Sequence, residues 1–305
     1  MLIWGWPRGT VLCHARQAVL LDVARRSQIH VFGWPIGVTL DNRPEYRPRP
    51  TNEGIVAEVA ITDEGTFGDI YDYWTWRKNG DFYLRQNLFE DDRKEKRGKL
   101  IYFETRIERL AEALLYCSRV YRRLGVPGGA PAQVTARWTG LKGRKLVAVQ
   151  PARVLLPRET IENEVRSTLE VPLSRIRVDL VGVVKDLLSP LFMVFDFFQL
   201  SDQIYQEIID GFIARIGQPR PGAQGARADM DHLRLEVEQS GNRWVARVYD
   251  MSDFMTVYET ECDDEKSAKT QAVAFVLLNL GRRPQEGEPP EAVAEGLAWR
   301  RYSPV

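Results

Sequence analysis

The residue types that most often carry chemistry are sparse and scattered. The three histidines are His14, His30 and His232, and the three cysteines are Cys13, Cys117 and Cys262. A structural zinc needs thiolates or imidazoles at turn or helix spacing, and no C-x-x-C pair occurs. Cys13 and His14 are neighbours, whose side chains leave the backbone on opposite sides. An odd, dispersed cysteine set excludes a disulfide framework and fits a reducing, cytoplasmic setting. Neither G-x-G-x-x-G nor G-x-S-x-G is present. Gly140-Leu-Lys-Gly-Arg-Lys145 has the glycine and lysine of a phosphate loop but lacks its spacing and hydroxyl, and reads as a hairpin turn. The acid pairs Asp91-Asp92 and Asp263-Asp264 lie in polar turns, where solvated acids are common. No catalytic residue, cofactor or metal is assigned. An enzyme would need carboxylates such as Asp69, Asp72, Asp81 and Glu90 to converge in three dimensions.

Charge distribution gives the stronger signal. The chain has 42 basic and 42 acidic residues. Yet Ala113 to Arg158 holds no Asp or Glu and nine cations: Arg119, Arg122, Arg123, Arg137, Lys142, Arg144, Lys145, Arg153 and Arg158. Such a window predicts a basic face that attracts polyanions through phosphate contacts. Its candidate nucleic-acid-binding residues are Arg119, Arg122, Arg123, Arg137, Lys142, Arg144 and Lys145. Gly125 and Pro127 would turn the chain so that the helical arginines and the Lys142–Lys145 tip lie side by side. The alternative is that acids from elsewhere, Glu159, Glu162 and Glu164 among them, fold over the window. Residues 231–280 are instead acidic, ten acids against five bases.

These residues must be held by an α+β fold: a mixed strand and helix central domain followed by a small strand-strand-strand-helix module. Residues 1–50 carry a helix near 15–27 and a connector, DNRPEYRPRP, in which proline forbids regular pairing. The central domain spans 51–216. Ile55–Ile61 alternates, Tyr71–Arg77 is aromatic and β-prone, and Lys78-Asn-Gly-Asp81 turns it into a hairpin with 82–89. Alternation places Tyr71, Tyr73 and Thr75 on one face and Asp72, Trp74 and Trp76 on the other. Both faces are expected to be core; an exposed aromatic row would be able to stack bases. A helix over 105–124 follows, with Thr105-x-x-Glu108 as a capping box. Residues 133–138 and 144–149 suggest another hairpin, and 161–171 a strand ended by Pro172. Two such halves, each a sheet closed by a helix, would make a weak duplication. A helix from Ser174 to Phe198, kinked at Pro190, and one over 202–215 complete the domain. The apolar run Leu180–Leu200 contains Lys185, Asp186 and Asp196 and so reads as a buried helix, not a membrane span. Residues 217–230, rich in glycine and proline, read as a linker, 231–281 as the small module, and 282–305 as a flexible tail.

Long phrases carry a family resemblance. FGWPIGVTLDNRPEYRPRPTNEGIVAEV, YDYWTWRKNGDFYLRQNLFED, LIYFETRIERLAEALLYCSRVYRRLGV, GLKGRKL and VKDLLSPLFMVFDFFQLSDQIYQEIIDGF resemble the C-terminal region of bacterial Schlafen/Alba-type putative DNA-binding proteins, over roughly 20–216. The resemblance implies a DNA-associated, transcription-regulating context. In that family the DNA or nucleotide role is assigned to an N-terminal module with an acidic-lysine strand motif and a glycine-rich strand turn. Neither motif is present, the sequence beginning where such a module would end, so the resemblance transfers no site residue. The small module resembles HicB-like and double-stranded-RNA-binding-like folds; its acidity points to a protein partner instead of RNA.

The expected function is a non-enzymatic regulatory or accessory binding protein. Its central domain would contact nucleic acid or an acidic protein, its C-terminal module a second protein, and neither a membrane. A hydrolase or nuclease built on dispersed carboxylates, and a structural oligomerisation unit, are the alternatives.

Overall fold

Alternation along residues 54–61 and 70–77 sorts side chains to two faces, and one face of each segment is core. In the computed structural model, residues 2–5, 17–31, 34–40, 43–62, 69–92, 96–150, 153, 155–156, 158–216, 225–230, 233–250, 255–279 and 289–302 are described. The chain divides into two compact units, Met1–Phe212 and Ile213–Val305. The larger runs β1 (Leu2–Gly5), α1 (Gln17–Arg26), β2 (Arg49–Thr51), β3 (Gly54–Ile61), β4 (Ile70–Arg77), β5 (Phe82–Gln86), a 3-10 turn at Phe89–Asp92, β6 (Leu100–Tyr102), α2 (Phe103–Arg123), β7 (Pro131–Thr139), β8 (Lys145–Val147), β9 (Arg158–Glu159), β10 (Glu164–Pro172), α3 (Leu173–Val178), α4 (Leu180–Met193) and α5 (Asp202–Arg215). The smaller has β11 (Gly225–Met230), β12 (Leu233–Ser240), β13 (Arg243–Asp250), β14 (Met255–Cys262), α6 (Glu265–Asn279), α7 (Pro290–Gly296) and β15 (Arg300–Tyr302). The fold is α+β.

Seven strands form an antiparallel sheet in the order β10-β7-β1-β5-β4-β3-β2. Register lines Ile55 up with Trp76 and Phe82, Ala57 with Trp74 and Leu84, and Val59 with Asp72 and Gln86. This row faces α2: the Trp76 indole donates to Tyr116 Oη at 3.1 Å, and Tyr121 Oη donates to the Gly80 carbonyl at 2.6 Å. Trp74 and Trp76 are fully buried, each a burial on the order of 4 kcal/mol. The opposite row, Tyr71, Tyr73 and Thr75, is only half-buried. The strand therefore has one core face, not two. Strands from both parts of the unit share the one sheet, which replaces the duplication.

Several expected boundaries move for identifiable reasons. Helix α2 starts at Phe103, directly after β6, so Thr105 and Glu108 lie buried inside it and form no capping box. Glu90 Oε1 instead accepts the Tyr102 N–H at 2.6 Å. The 133–138 and 144–149 segments do not pair: β7 joins β1 and β10 in the large sheet, and β8 lies between β6 and β9 in a separate small one. The inward row Ala132, Val134 and Ala136 draws β7 to the main core. The expected 174–198 helix breaks at Asp179, whose carboxylate accepts the Gly182 N–H at 3.0 Å and caps α4; Pro190 stays inside that helix. It ends at Met193, before Asp196 and Phe197 at φ 53° and 56°.

In the smaller unit β12, β13, β14 and α6 fall where alternation places them. Two further strands complete a sheet of order β14-β13-β12-β11-β15. The last six residues of the expected linker are strand β11, whose Ala226 and Ala228 enter the core. The expected tail supplies α7 and β15. Alanine and glycine pair as well as larger residues once a neighbour supplies the apolar contact. The remaining linker residues, 217–224, and tail residues 282–288 and 303–305 lie outside the described residues.

Candidate functional site

A cavity of about 350 Å³ opens between the sheet and the first half of α2. Leu2 pairs with Leu84 on one side and Ala136 on the other. Two residues further along β5 and β7, Gln86 and Trp138 line the cavity. Trp34, Ile36, Ile70, Leu88 and Leu110 give it an apolar wall, and Phe89, 54% exposed, reaches its rim.

A polar chain crosses this wall. Gln86 Nε2 donates to Asp72 Oδ2 at 2.5 Å, and Arg109 Nη2 donates to Gln86 Oε1 at 3.1 Å. Arg109 Nη1 donates to Glu112 Oε2 at 2.6 Å and to the Trp34 carbonyl at 3.2 Å; Glu112 Oε1 accepts the Ile36 N–H at 2.9 Å. Arg106 pairs with Glu90 at 2.9 Å inside the same wall. The chain binds β4, β5, α2 and the 34–40 segment together. That segment is further held by Trp74 Nε1 on the Val38 carbonyl at 2.8 Å and Gln28 Nε2 on the Gly37 carbonyl at 2.7 Å.

Asp72 is the incomplete member. It is 4% exposed, and its Oδ1 has no hydrogen-bond partner. Burial pushes its carboxyl up to about 6, against the opposing pull of the Gln86 amide and the Arg109 guanidinium. Burial also raises Glu112 and lowers Arg106, whose Nε is unpartnered. Both Glu112 oxygens accept from donors, which is the arrangement of a carboxylate. Asp69, Asp81 and Glu90 do not join Asp72 on the cavity wall: Asp69 pairs with Arg97, Asp81 sits in the Asn79 turn, and Glu90 holds Arg106. Among the described residues no group of three His, Cys, Asp or Glu is placed to hold a metal. Cys117 and Cys262 are buried with thiols raised by burial; Cys13, His14 and His232 lie outside the described residues.

The basic window does not form one face. Arg144 is 5% exposed and fixed by both oxygens of Asp91, at 2.9 and 2.7 Å, and by the Leu100 and Gly140 carbonyls. Arg119 is 4% exposed and bonds the Gln28 carbonyl. Arg137 pairs with Glu164, Arg153 with Glu207, and Arg158 with Asp196. Arg123 is half-buried, and Arg122, Lys142 and Lys145 are exposed. The two expected clusters are not side by side. Lys145 pairs in register with Leu100, immediately before α2, whereas Arg119, Arg122 and Arg123 end that helix. These arginines are four turns or more into that 21-residue helix, about 25–30 Å along it. Acids outside the window thus pair with four of its nine cations, Arg137, Arg144, Arg153 and Arg158.

Sequence reasoning named Asp72 only as one of four dispersed acids and missed Gln86, Arg109, Arg106 and Glu112. Asp72 did carry a signal: an acid on the inward row of a strand between Trp74 and Ile70. In the smaller unit Glu236, 2% exposed, is similarly raised to about 7 by burial and has an unpartnered Oε2.

Among the described residues no helix is long and apolar enough to cross a membrane. No family model, curated protein or solved structure matches the chain.

Proposed function

We propose that the protein is a binding protein without a reaction of its own, and that its larger unit receives a small molecule in the cavity between β4, β5, β7 and α2. The observation that carries this is the pairing of an apolar cavity with a buried acid whose second oxygen is unpartnered. Ligand pockets are typically apolar with a few fixed polar groups and occupy ~300–1,000 Å³. An unpartnered buried polar atom costs about 1–3 kcal/mol, a cost a ligand donor would remove. The resemblance of the phrases in 20–216 to the Schlafen/Alba-type C-terminal region is the ground for proposing a regulatory setting, in which occupancy of the cavity is the signal. Ligand-observed NMR with a fragment set tests it. Binding fragments should be lost in Ala136→Phe, which fills the cavity from β7. Fragments that bind both proteins alike, or an absence of binders, would overturn the reading.

A second reading is contact with nucleic acid or an acidic protein through the turn after β7, where Lys142 and Lys145 are exposed and no described contact pairs them. Each phosphate neutralised adds about 0.9 to the salt slope on duplex DNA. A random duplex should therefore show a slope of no more than about 2, abolished by Lys142→Glu with Lys145→Glu. A slope near 6 would mean that all seven candidate cations act.

A further inference from the structure

The cavity's charges are unequal, and the inequality identifies a ligand class. Asp72, Arg106 and Arg109 line the cavity, and Glu90 and Glu112, behind the lining, each hold one of the two guanidiniums. The neighbouring Arg144–Asp91 pair is neutral. Arg106 is matched by Glu90 and Arg109 by Glu112, so the charge without a counter-ion is that of Asp72. Its ordered neighbour, the Gln86 amide, supplies one donor to Oδ2 and no charge. Both guanidiniums already have a carboxylate counter-ion, although Arg106 Nε has no acceptor, whereas Asp72 Oδ1 has an acceptor site with no donor and no carboxylate–guanidinium pair of its own.

The walls agree with this. Trp34 and Trp138 line the same cavity as Asp72, and aromatic faces attract ammonium groups. Phe89, Leu88 and Ile70 continue the apolar surface to the rim. Resting on the pocket reading above, we propose that the cavity binds a primary or secondary ammonium carried on an aromatic or aliphatic body, with Asp72 as counter-ion and the tryptophans around the apolar part.

Asp72 must be ionised for this. The charged groups that act on it are Arg109 and Glu112 on α2; Tyr116 on α2 is also near, β3 and β5 present Val59 and Gln86, and the Arg106–Glu90 pair lies in the same wall. Burial, opposed by the Gln86 amide and the Arg109 guanidinium, leaves the carboxyl at about 6. An ammonium bound there draws it lower and so binds best above that pH.

The test is fluorine NMR titration of the full chain with 4-fluorophenethylamine, its alcohol analogue 4-fluorophenethyl alcohol, and 3-(4-fluorophenyl)propionate. At about pH 8 the amine should bind roughly tenfold or more tightly than the alcohol, as a charge-assisted hydrogen bond implies. The ratio should fall toward one in Asp72→Asn, and in the wild-type chain at about pH 5, where the amine keeps its charge and Asp72 does not. The pH arm needs no variant, so a folding failure of Asp72→Asn leaves it intact. Equal binding of amine and alcohol would overturn the cation assignment and leave the pocket reading standing. Tightest binding of the carboxylate would overturn it in favour of the guanidiniums. No binding by any of the three, with fragments of other chemistry still lost in Ala136→Phe, would refute the ammonium alone; no binding by any molecule would remove both readings.

Discussion

Asp72 should make the unliganded protein less stable as pH rises through the range in which it ionises. Its carboxyl moves from an ordinary 3.8 to about 6 on folding. Raising a carboxyl by that amount leaves the charged form about 3 kcal/mol less favourable in the folded chain than in the unfolded one. The sign follows from linkage. Below about pH 4 both states hold the proton and there is no penalty. Between about 4 and 6 the unfolded chain releases it first, and stability falls. Above about 6 the folded chain has released it too, and the full loss is reached. Asp72→Asn cannot ionise. The stability difference between the variant and the wild type should therefore grow in the variant's favour by about 3 kcal/mol from about pH 4 to about pH 8. Other carboxyls are common to both proteins and cancel. Urea unfolding followed by tryptophan fluorescence reads mainly the right unit, since six of the eight tryptophans precede residue 212. Phosphate should replace amine buffers, which would compete for the same carboxylate. A difference that stays constant across this range would show that Asp72 keeps an ordinary carboxyl, and the unpartnered buried acid would lose its meaning.

Arg144→Ala should cost about 3–5 kcal/mol, because it leaves Asp91 without its bidentate partner. Lys142→Ala and Lys145→Ala should stay within about 0.5 kcal/mol; chemical melts distinguish these, and equal effects would mean that Arg144 is also solvent-facing. Gly37→Ala should cost about 2–4 kcal/mol, since φ is +73° and a Cβ there would lie 2.2 Å from Tyr116 Oη. Gly129→Ala, with nothing within 4 Å, is the matched control in the same melts, and a Gly37 variant as stable as the control would refute the close approach.

What the sequence by itself determined was the local part of the fold. Period-two alternation set the inward rows of β3, β4, β12 and β13, and the Asn-Gly turn set the β4–β5 hairpin, because side-chain direction and turn geometry depend on a few adjacent residues. The stretch Ile107 to Tyr121 read as helix for the same reason. Sequence did not determine which strands pair. Nothing local tells β7 to prefer β1 and β10 over β8, or makes β11 a strand out of Gly225 to Met230; the core that receives Ala136 and Ala226 decides that. Charge behaved likewise. The acid-free window from 113 to 158 is a fact of the sequence, but Asp91, Glu164, Asp196 and Glu207 reach it only through the tertiary fold. The cavity belongs to the same class. Asp72, Gln86 and Arg109 are separated by 14 and 23 residues, and only the closing of α2 over the sheet desolvates Asp72 and leaves its second oxygen without a donor. Burial is a property of distant residues meeting, and so only the tertiary structure could make an ordinary strand aspartate into a candidate site.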